Sequence, residues 1–279
     1  MISNEPLLSV RLTAGYEPGQ AVLNDFDLQI ARGEIVGLVG ESGSGKSTLA
    51  RALLQLERFS GGWSQGSIVF EGQDLKRCSE RELRSLRGRR MSLVLQSPMT
   101  ALNPSLRIET QLKEAWLAHA APGAKGSFDE IASRVLEEVH LPAEKAFRRR
   151  YPGQISVGQA QRVLIAMAIL HRPALIIADE ATSSLDPLTR AGVLKLFQKL
   201  NQRLGMALLF ISHDLPSVVA ISDRIAILRE GRIIECASPG EIVSRPCHSY
   251  TRDLVEAMLI AVPAASSRET STEQVVGKR

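Results

Sequence analysis

Apolar and polar residues alternate through "AVLNDFDLQI" up to Ile30, the period-two pattern of a strand with one face in a core and the other toward water. Ala31 to Gly33 break the pattern as a turn, and "IVGLVG" follows as an uninterrupted apolar run, the mark of a strand buried on both faces. After Lys46 the period becomes helical in "STLARALLQL", so a buried strand, a glycine-rich loop and a helix follow one another directly. That order implies a βαβ unit and a parallel sheet. "GSIVFEGQDL" reads as a further strand ending in a turn, and "ERELRSLRGRR", Glu80 to Arg90, as a basic helix ahead of a strand "MSLVL".

From Pro104 to Arg150 the pattern is helical, broken by Pro, Gly and Ser near Pro122 to Ser127, which predicts an inserted helical lobe. The apolar runs "ALIIADE" and "ALLFISHD" then frame the helical stretch "PLTRAGVLKLFQKLNQRLG", which closes at Gly205. The parallel core resumes in these two strands. "RIAILREGRIIE" has the form of a hairpin turning at Glu230 and Gly231. The last residues, "SRETSTEQVVGKR", carry too little apolar mass to fold and are expected to be disordered.

Composition narrows the classes. With 279 residues, 44% hydrophobic and 23% charged, the chain can bury one large core and a smaller lobe. Lys plus Arg number 34 against 30 Asp plus Glu, and a net charge of +4 is too mild to predict nucleic acid as a partner. The longest apolar runs, such as "VLIAMAIL" from Val163 to Leu170, fall far short of the roughly 20 residues that span a bilayer. "MISNEPLLSV" lacks the pattern of a secretion leader, and Cys78, Cys236 and Cys247 lack metal-ligand spacing, so the expectation is a cytosolic chain with free thiols.

The candidate chemistry starts at "GESGSGKS", Gly40 to Ser47, which fits G-x-x-x-x-G-K-[ST] between a buried strand and a helix. Loop residues Gly40, Glu41, Ser42, Gly43, Ser44 and Gly45 can converge their backbone N–H groups on a phosphate, with Thr48 beside them at the helix start. Lys46 would neutralise β and γ oxygens, and the Ser47 hydroxyl would ligate Mg²⁺. A plain Gly/Ser turn is the alternative, but it does not require a strand, loop and helix to coincide with the motif. "ALIIADE" ends its strand in Asp179 and Glu180, at the carboxyl edge where ligands of such sheets sit. Asp179 then suits a Mg²⁺ contact and Glu180 a general base toward water; solvated acids are a common alternative at a strand end when no phosphate loop accompanies them.

The order of motifs resembles the ATP-binding cassette ATPases, the nucleotide-hydrolysing subunits of membrane transporters, from about Leu8 to Ala257. The resemblance rests on the phosphate loop, Gln96 after "SLVL", "ISVGQAQR", "IIADEATSSLD" and "ISHD" with His213, in that order. It implies an α/β P-loop NTPase fold: a RecA-like mixed-sheet core, an N-terminal antiparallel β subdomain and an inserted α-helical subdomain at about 97–165. Residues 1–257 would form the ATPase domain and 258–279 a disordered tail. It implies ATP and Mg²⁺ as cofactors. Gln96 would contact Mg²⁺ and the attacking water while linking the lobe to the core, Asp186 would lie in the loop that crosses a dimer, and His213 would hold the γ-phosphate. Tyr16 lies where the family stacks an aromatic ring on adenine; a loop anchor in "AGYEPGQ" is the other reading.

Where the family carries Leu-Ser-Gly-Gly-Gln, this chain carries Ile155, Ser156, Val157, Gly158 and Gln159. By the resemblance, Ser156 and Gly158 meet the γ-phosphate of the opposite subunit's ATP. Val157 keeps its backbone N–H, so its effect is strain if the position is left-handed and nearly nothing if it is not. "QSPMTALNP", Gln96 to Pro104, and "RPCHSYTRDLVEA", Arg245 to Ala257, look like segments of the oligopeptide, dipeptide and nickel importer branch. That branch implies membrane-spanning permease subunits, a second related ATPase subunit and, indirectly, an extracytoplasmic binding protein. It places the chain peripherally on the cytoplasmic face of the cell membrane. A soluble ATPase accessory to a metabolic complex, such as phosphonate carbon–phosphorus lyase, is the alternative.

Overall fold

A computed structural model describes residues 5–17, 19–59, 61–120 and 128–261. The N-terminal part supplies strands β1 (Leu8–Gly15), β2 (Ala21–Ile30) and β3 (Ile35–Val39), helix α1 (Lys46–Leu53), strands β4 (Trp63–Phe70) and β5 (Gln73–Asp74), helix α2 (Glu80–Leu86) and strand β6 (Met91–Val94). Helices α3 (Pro98–Ala101), α4 (Ile108–Leu117), α5 (Phe128–Glu138), α6 (Lys145–Arg148) and α7 (Val157–Ile169) follow without an intervening strand. The chain then alternates through β7 (Leu175–Asp179), α8 (Pro187–Leu204), β8 (Ala207–Ser212), α9 (Leu215–Ile221), β9 (Arg224–Arg229) and β10 (Arg232–Ala237), and ends in α10 (Pro239–Ser244) and α11 (Ser249–Ala261).

Two sheets organise these elements. β2-β1-β4-β5 is antiparallel; β10-β9-β3-β8-β7-β6 is parallel except for the antiparallel β10 edge. The central strands β3 and β8 are buried at every residue, as their unbroken apolar runs predict. Their side chains alternate between two cores. Ile35, Val39, Leu208 and Phe210 join the helices of residues 102–200 on one face, while Val36, Leu38, Leu209 and Ile211 join α1 and the four-stranded sheet on the other. No helix among the described residues is long and apolar enough to cross a membrane.

The β9–β10 hairpin turns where expected, with positive φ at both Glu230 and Gly231. β1 is the strand that the patterns above leave unassigned, although Leu8, Val10, Leu12 and Ala14 alternate into the core and the strand pairs on both sides. The C-terminal helix also runs on to Ala261, beyond the expected boundary at Ala257, because Leu254 and Met258 continue its packing stripe against the core. Residues 262–279 and the expected break at residues 122–127 lie outside the described residues.

Candidate functional site

The carboxyl ends of β3, β7 and β8 gather the predicted chemistry at one sheet edge. Gly40 to Gly45 leave β3 as a loop that feeds α1, and Gly45 caps that helix in the left-handed region at φ 107°. A β-carbon on Gly45 would fall 2.6 Å from Leu23 Cδ2, so only glycine closes the loop this tightly against β2. Lys46 folds back inside the loop. Its ammonium donates to the carbonyl oxygens of Gly40 at 2.8 Å and Glu41 at 2.7 Å, with the Glu180 carboxylate 3.9 Å away. Burial pulls the Lys46 ammonium below its ordinary range, opposed by the charges of Glu180, Asp179 and Glu41.

Asp179 ends β7 with its carboxyl largely withdrawn from water, and burial raises it above the ordinary carboxylate range; the Ser47 hydroxyl, hydrogen-bonded to it, pulls the other way. Its Oδ1 is buried with no hydrogen-bond partner among the described residues. An orphaned carboxylate oxygen beside the exposed Ser47 hydroxyl is a pair of donors that could hold a cation. Glu180 follows in the left-handed region at φ 50°, a sparsely populated backbone state for a non-glycine residue. Its N–H is held by the Ile211 carbonyl at 2.9 Å, and its Oε2 lies 3.1 Å from His213 Nδ1. The β7 and β8 ends therefore place Glu180 between a lysine and a histidine.

A sequence model of the family described as ABC transporter matches residues 23–183. The chain is 41% identical over 279 residues to a protein of Brucella ovis named as a peptide import ATP-binding protein, covering 99% of this chain and 84% of that one. The chain belongs to the ABC transporter family. A second relative in it, the oligopeptide transport ATP-binding protein OppD of Salmonella typhimurium, is 38% identical over 236 residues, covering 85% of this chain and 70% of that one. Among solved structures, the post-hydrolysis dimer of the ATP-binding cassette MJ0796 bound to ADP and Pi superposes with a TM-score of 0.72 at 26% identity, covering 83% of this chain and 98% of that one.

The remaining residues that the ABC transporter resemblance pointed to are dispersed around this centre. Tyr16 is exposed, and its hydroxyl accepts hydrogen bonds from Thr48 Oγ1 at 3.1 Å and Arg51 Nη1 at 3.4 Å, which seats the ring beside the start of α1. Gln96 lies exposed just past β6, and its carbonyl accepts from Ser184 Oγ at 3.4 Å in the loop after Glu180. Asp186 caps α8 by accepting from the N–H groups of Leu188 and Thr189; the Thr189 hydroxyl first, and these N–H groups after it, hold its carboxyl below the usual range.

Ser156 caps α7 in a reciprocal box with Gln159, leaving its own side chain exposed. Val157 is the first residue of that helix and has no positive φ; its exposed side chain carries none of the left-handed strain that the sequence left open. The glycine that matters sterically is the next one: a β-carbon at Gly158 would sit 2.6 Å from Thr189 Cγ2 of α8.

Two couplings were missed by sequence reasoning. Fully buried Gln161 of α7 donates to the Leu95 carbonyl at 3.5 Å, joining the Ser156 helix to the residue before Gln96. Arg190 of α8 approaches Asp214 at 3.6 Å, joining the Asp186 loop to the residue after His213. The only sequence signal for either is a polar residue at a core-facing helical position.

Proposed function

We propose that this chain is the ATP-hydrolysing subunit of an importer for peptide-type solutes. The observation that carries the reading is the constellation at the sheet edge: Lys46 inside the phosphate loop, Asp179 with a buried unpartnered oxygen, and Glu180 held against His213. The solute class comes from the relatives' names, peptide import and oligopeptide transport. The nickel alternative of the same branch is named for neither of these two relatives.

In this reading the N–H groups of Gly40 to Ser47 and the start of α1 receive the phosphates, Thr48 supports the loop, and the Tyr16 ring stacks on adenine. Lys46 exchanges its two loop carbonyls for phosphate oxygens. The Ser47 hydroxyl, the free Asp179 oxygen and Gln96 fit Mg²⁺, which supplies Lewis-acid stabilisation of charge on the transferred phosphoryl group when bound. Glu180 takes a proton from the attacking water, and His213 both orients Glu180 and meets the γ-phosphate. Ser156 and Gly158 at the exposed start of α7, with Asp186, serve the nucleotide of a second ATPase subunit. Permease subunits and an extracytoplasmic binding protein complete the assembly at the cytoplasmic face of the membrane.

Co-purification tests the assignment. Detergent extraction of the tagged chain from its native cells is expected to bring down membrane-spanning subunits and a second ATPase. Recovery of a soluble metabolic enzyme complex with no membrane subunit would replace the importer reading with the accessory-ATPase one.

A further inference from the structure

The positive charge of the chain is concentrated in one short segment. Residues 76–90 hold seven Lys or Arg against two Glu, a net +5, whereas the whole chain carries only +4, so everything outside this segment is slightly acidic. The segment runs through α2 to the start of β6. Ala174 and Leu175 donate to the Arg90 carbonyl at 2.9 and 3.1 Å, which sets the Arg89–Arg90 turn against the first residue of β7. Asp179 lies at the other end of that strand, so the cluster sits at the amino edge of the sheet, away from the phosphate loop.

Part of this charge serves the fold. Arg90 is bonded to Glu71, and Arg87 to Glu80 at 2.6 Å and to the Leu54 carbonyl at 2.7 Å. Glu82 is held in the capping box with Ser79 at the start of α2. With both helix glutamates engaged, Arg81, Arg84 and Arg89 stay exposed and form no ion pair among the described residues. Arg77 is 89% exposed, with Asp74 at 3.3 Å beside it. Leu83 is buried and fixes α2 with this face outward. Arg81 and Arg84 repel each other across one turn, so the helix carries them at a cost to its own stability.

A large apolar side chain stands beside this face. Phe59 is 67% exposed, and the Arg87 guanidinium lies 5.9 Å from its ring centre. Guanidinium groups match phosphodiester oxygens two at a time, and an aromatic ring next to them suits the boundary between headgroups and acyl chains. A nucleic-acid backbone would meet the same arginines. The lipid surface is favoured because the chain belongs to a transporter family, yet no helix among its described residues is long and apolar enough to cross a bilayer.

We infer that the arginine face of α2, with Phe59 at its rim, is a docking surface for anionic phospholipid headgroups at the membrane. The surface goes beyond the importer reading and needs no permease subunit.

The test is co-sedimentation of the purified full chain with vesicles of phosphatidylcholine alone, and of phosphatidylcholine and phosphatidylglycerol in equal parts. The parent is expected to bind the anionic vesicles alone and to leave them in about 1 M salt, where charges act over only about 3 Å. The triple variant Arg81→Gln, Arg84→Gln, Arg89→Gln should bind about 10²-fold more weakly, at about fivefold per arginine. Phe59→Ser should weaken binding about tenfold. A control that loses the same charge elsewhere, Arg134→Gln, Arg149→Gln, Lys195→Gln, should stay within about threefold of the parent. Both triple variants should melt with the parent and keep its ATP affinity within about twofold, since they touch no residue of the sheet-edge site. Equal binding to the two vesicle types, or equal losses in the patch and control variants, would overturn the docking surface. Tighter binding to a mixed-sequence RNA than to anionic vesicles, with the same arginine dependence, would reassign the face to nucleic acid. None of these results touches the importer reading, because the assay contains no permease; that reading fails separately, in the co-purification above.

Discussion

Gly158→Ala isolates the one place in the Ser156–Gln159 cap where a side chain is forbidden. The new methyl would sit 2.6 Å from Thr189 Cγ2, well inside the roughly 3.5–4.0 Å at which carbon atoms attract. Thr189 cannot readily yield, because it is β-branched and its hydroxyl is bonded to Asp186. Alanine gains up to about 1 kcal/mol of helix propensity over glycine, but overpacking costs about 1–3 kcal/mol. The expected net loss is about 1–2 kcal/mol, which lowers the melting temperature by about 2–8 °C in a domain of this size. Urea unfolding of the full chain followed by circular dichroism measures it. Thr189→Ser removes the clashing methyl and keeps the hydroxyl, so the double variant should recover most of the loss. A Gly158→Ala chain as stable as the parent, or one that Thr189→Ser fails to rescue, would refute the packing argument.

Val157→Gly should change stability by no more than about 0.5 kcal/mol and leave turnover of the assembled complex unchanged, because an exposed helical valine has no strain to release; a clear rise in turnover would return the valine to the mechanism. Asp179→Asn should raise the melting temperature of the nucleotide-free chain near neutral pH. The native carboxyl titrates above its ordinary value of 3.8, so its contribution to stability is full below that value and lost as pH rises through the raised native one. The advantage of asparagine should therefore shrink on acidification, and differential scanning calorimetry across pH checks it. Tyr16→Phe should retain ATP affinity in calorimetry, whereas Tyr16→Ala should weaken it about five- to tenfold, the scale of a lost aromatic contact; equal losses in both would assign Tyr16 to anchoring through Thr48 and Arg51 instead.

The phosphate loop was legible because its contiguous motif lies between a run of buried residues and a helical period, both visible in sequence. β7 and β8 were legible for the same reason, and their last residues carried Asp179, Glu180 and His213 to the edge. What holds these groups in place was not. Gln161 meets Leu95 across 66 positions, and Glu235 turns the chain at Cys247 and His248 from 12 and 13 positions away. Such contacts depend on tertiary approach, to which periodicity is blind. Val157 shows a subtler limit: its conformation is set by the Ser156–Gln159 box, and the departure from the family pattern drew attention one residue away from the glycine that packing requires.

Glu180→Gln tests the central claim most directly. The substitution keeps the shape of a side chain held between Lys46 and His213 and removes only its basicity. In the complex with its partner subunits, magnesium-dependent ATP hydrolysis should fall by about 10²- to 10⁴-fold, the usual worth of a positioned base, while ATP binding stays close to that of the parent. Turnover equal to the parent's would contradict the assignment of Glu180 and the site built around it.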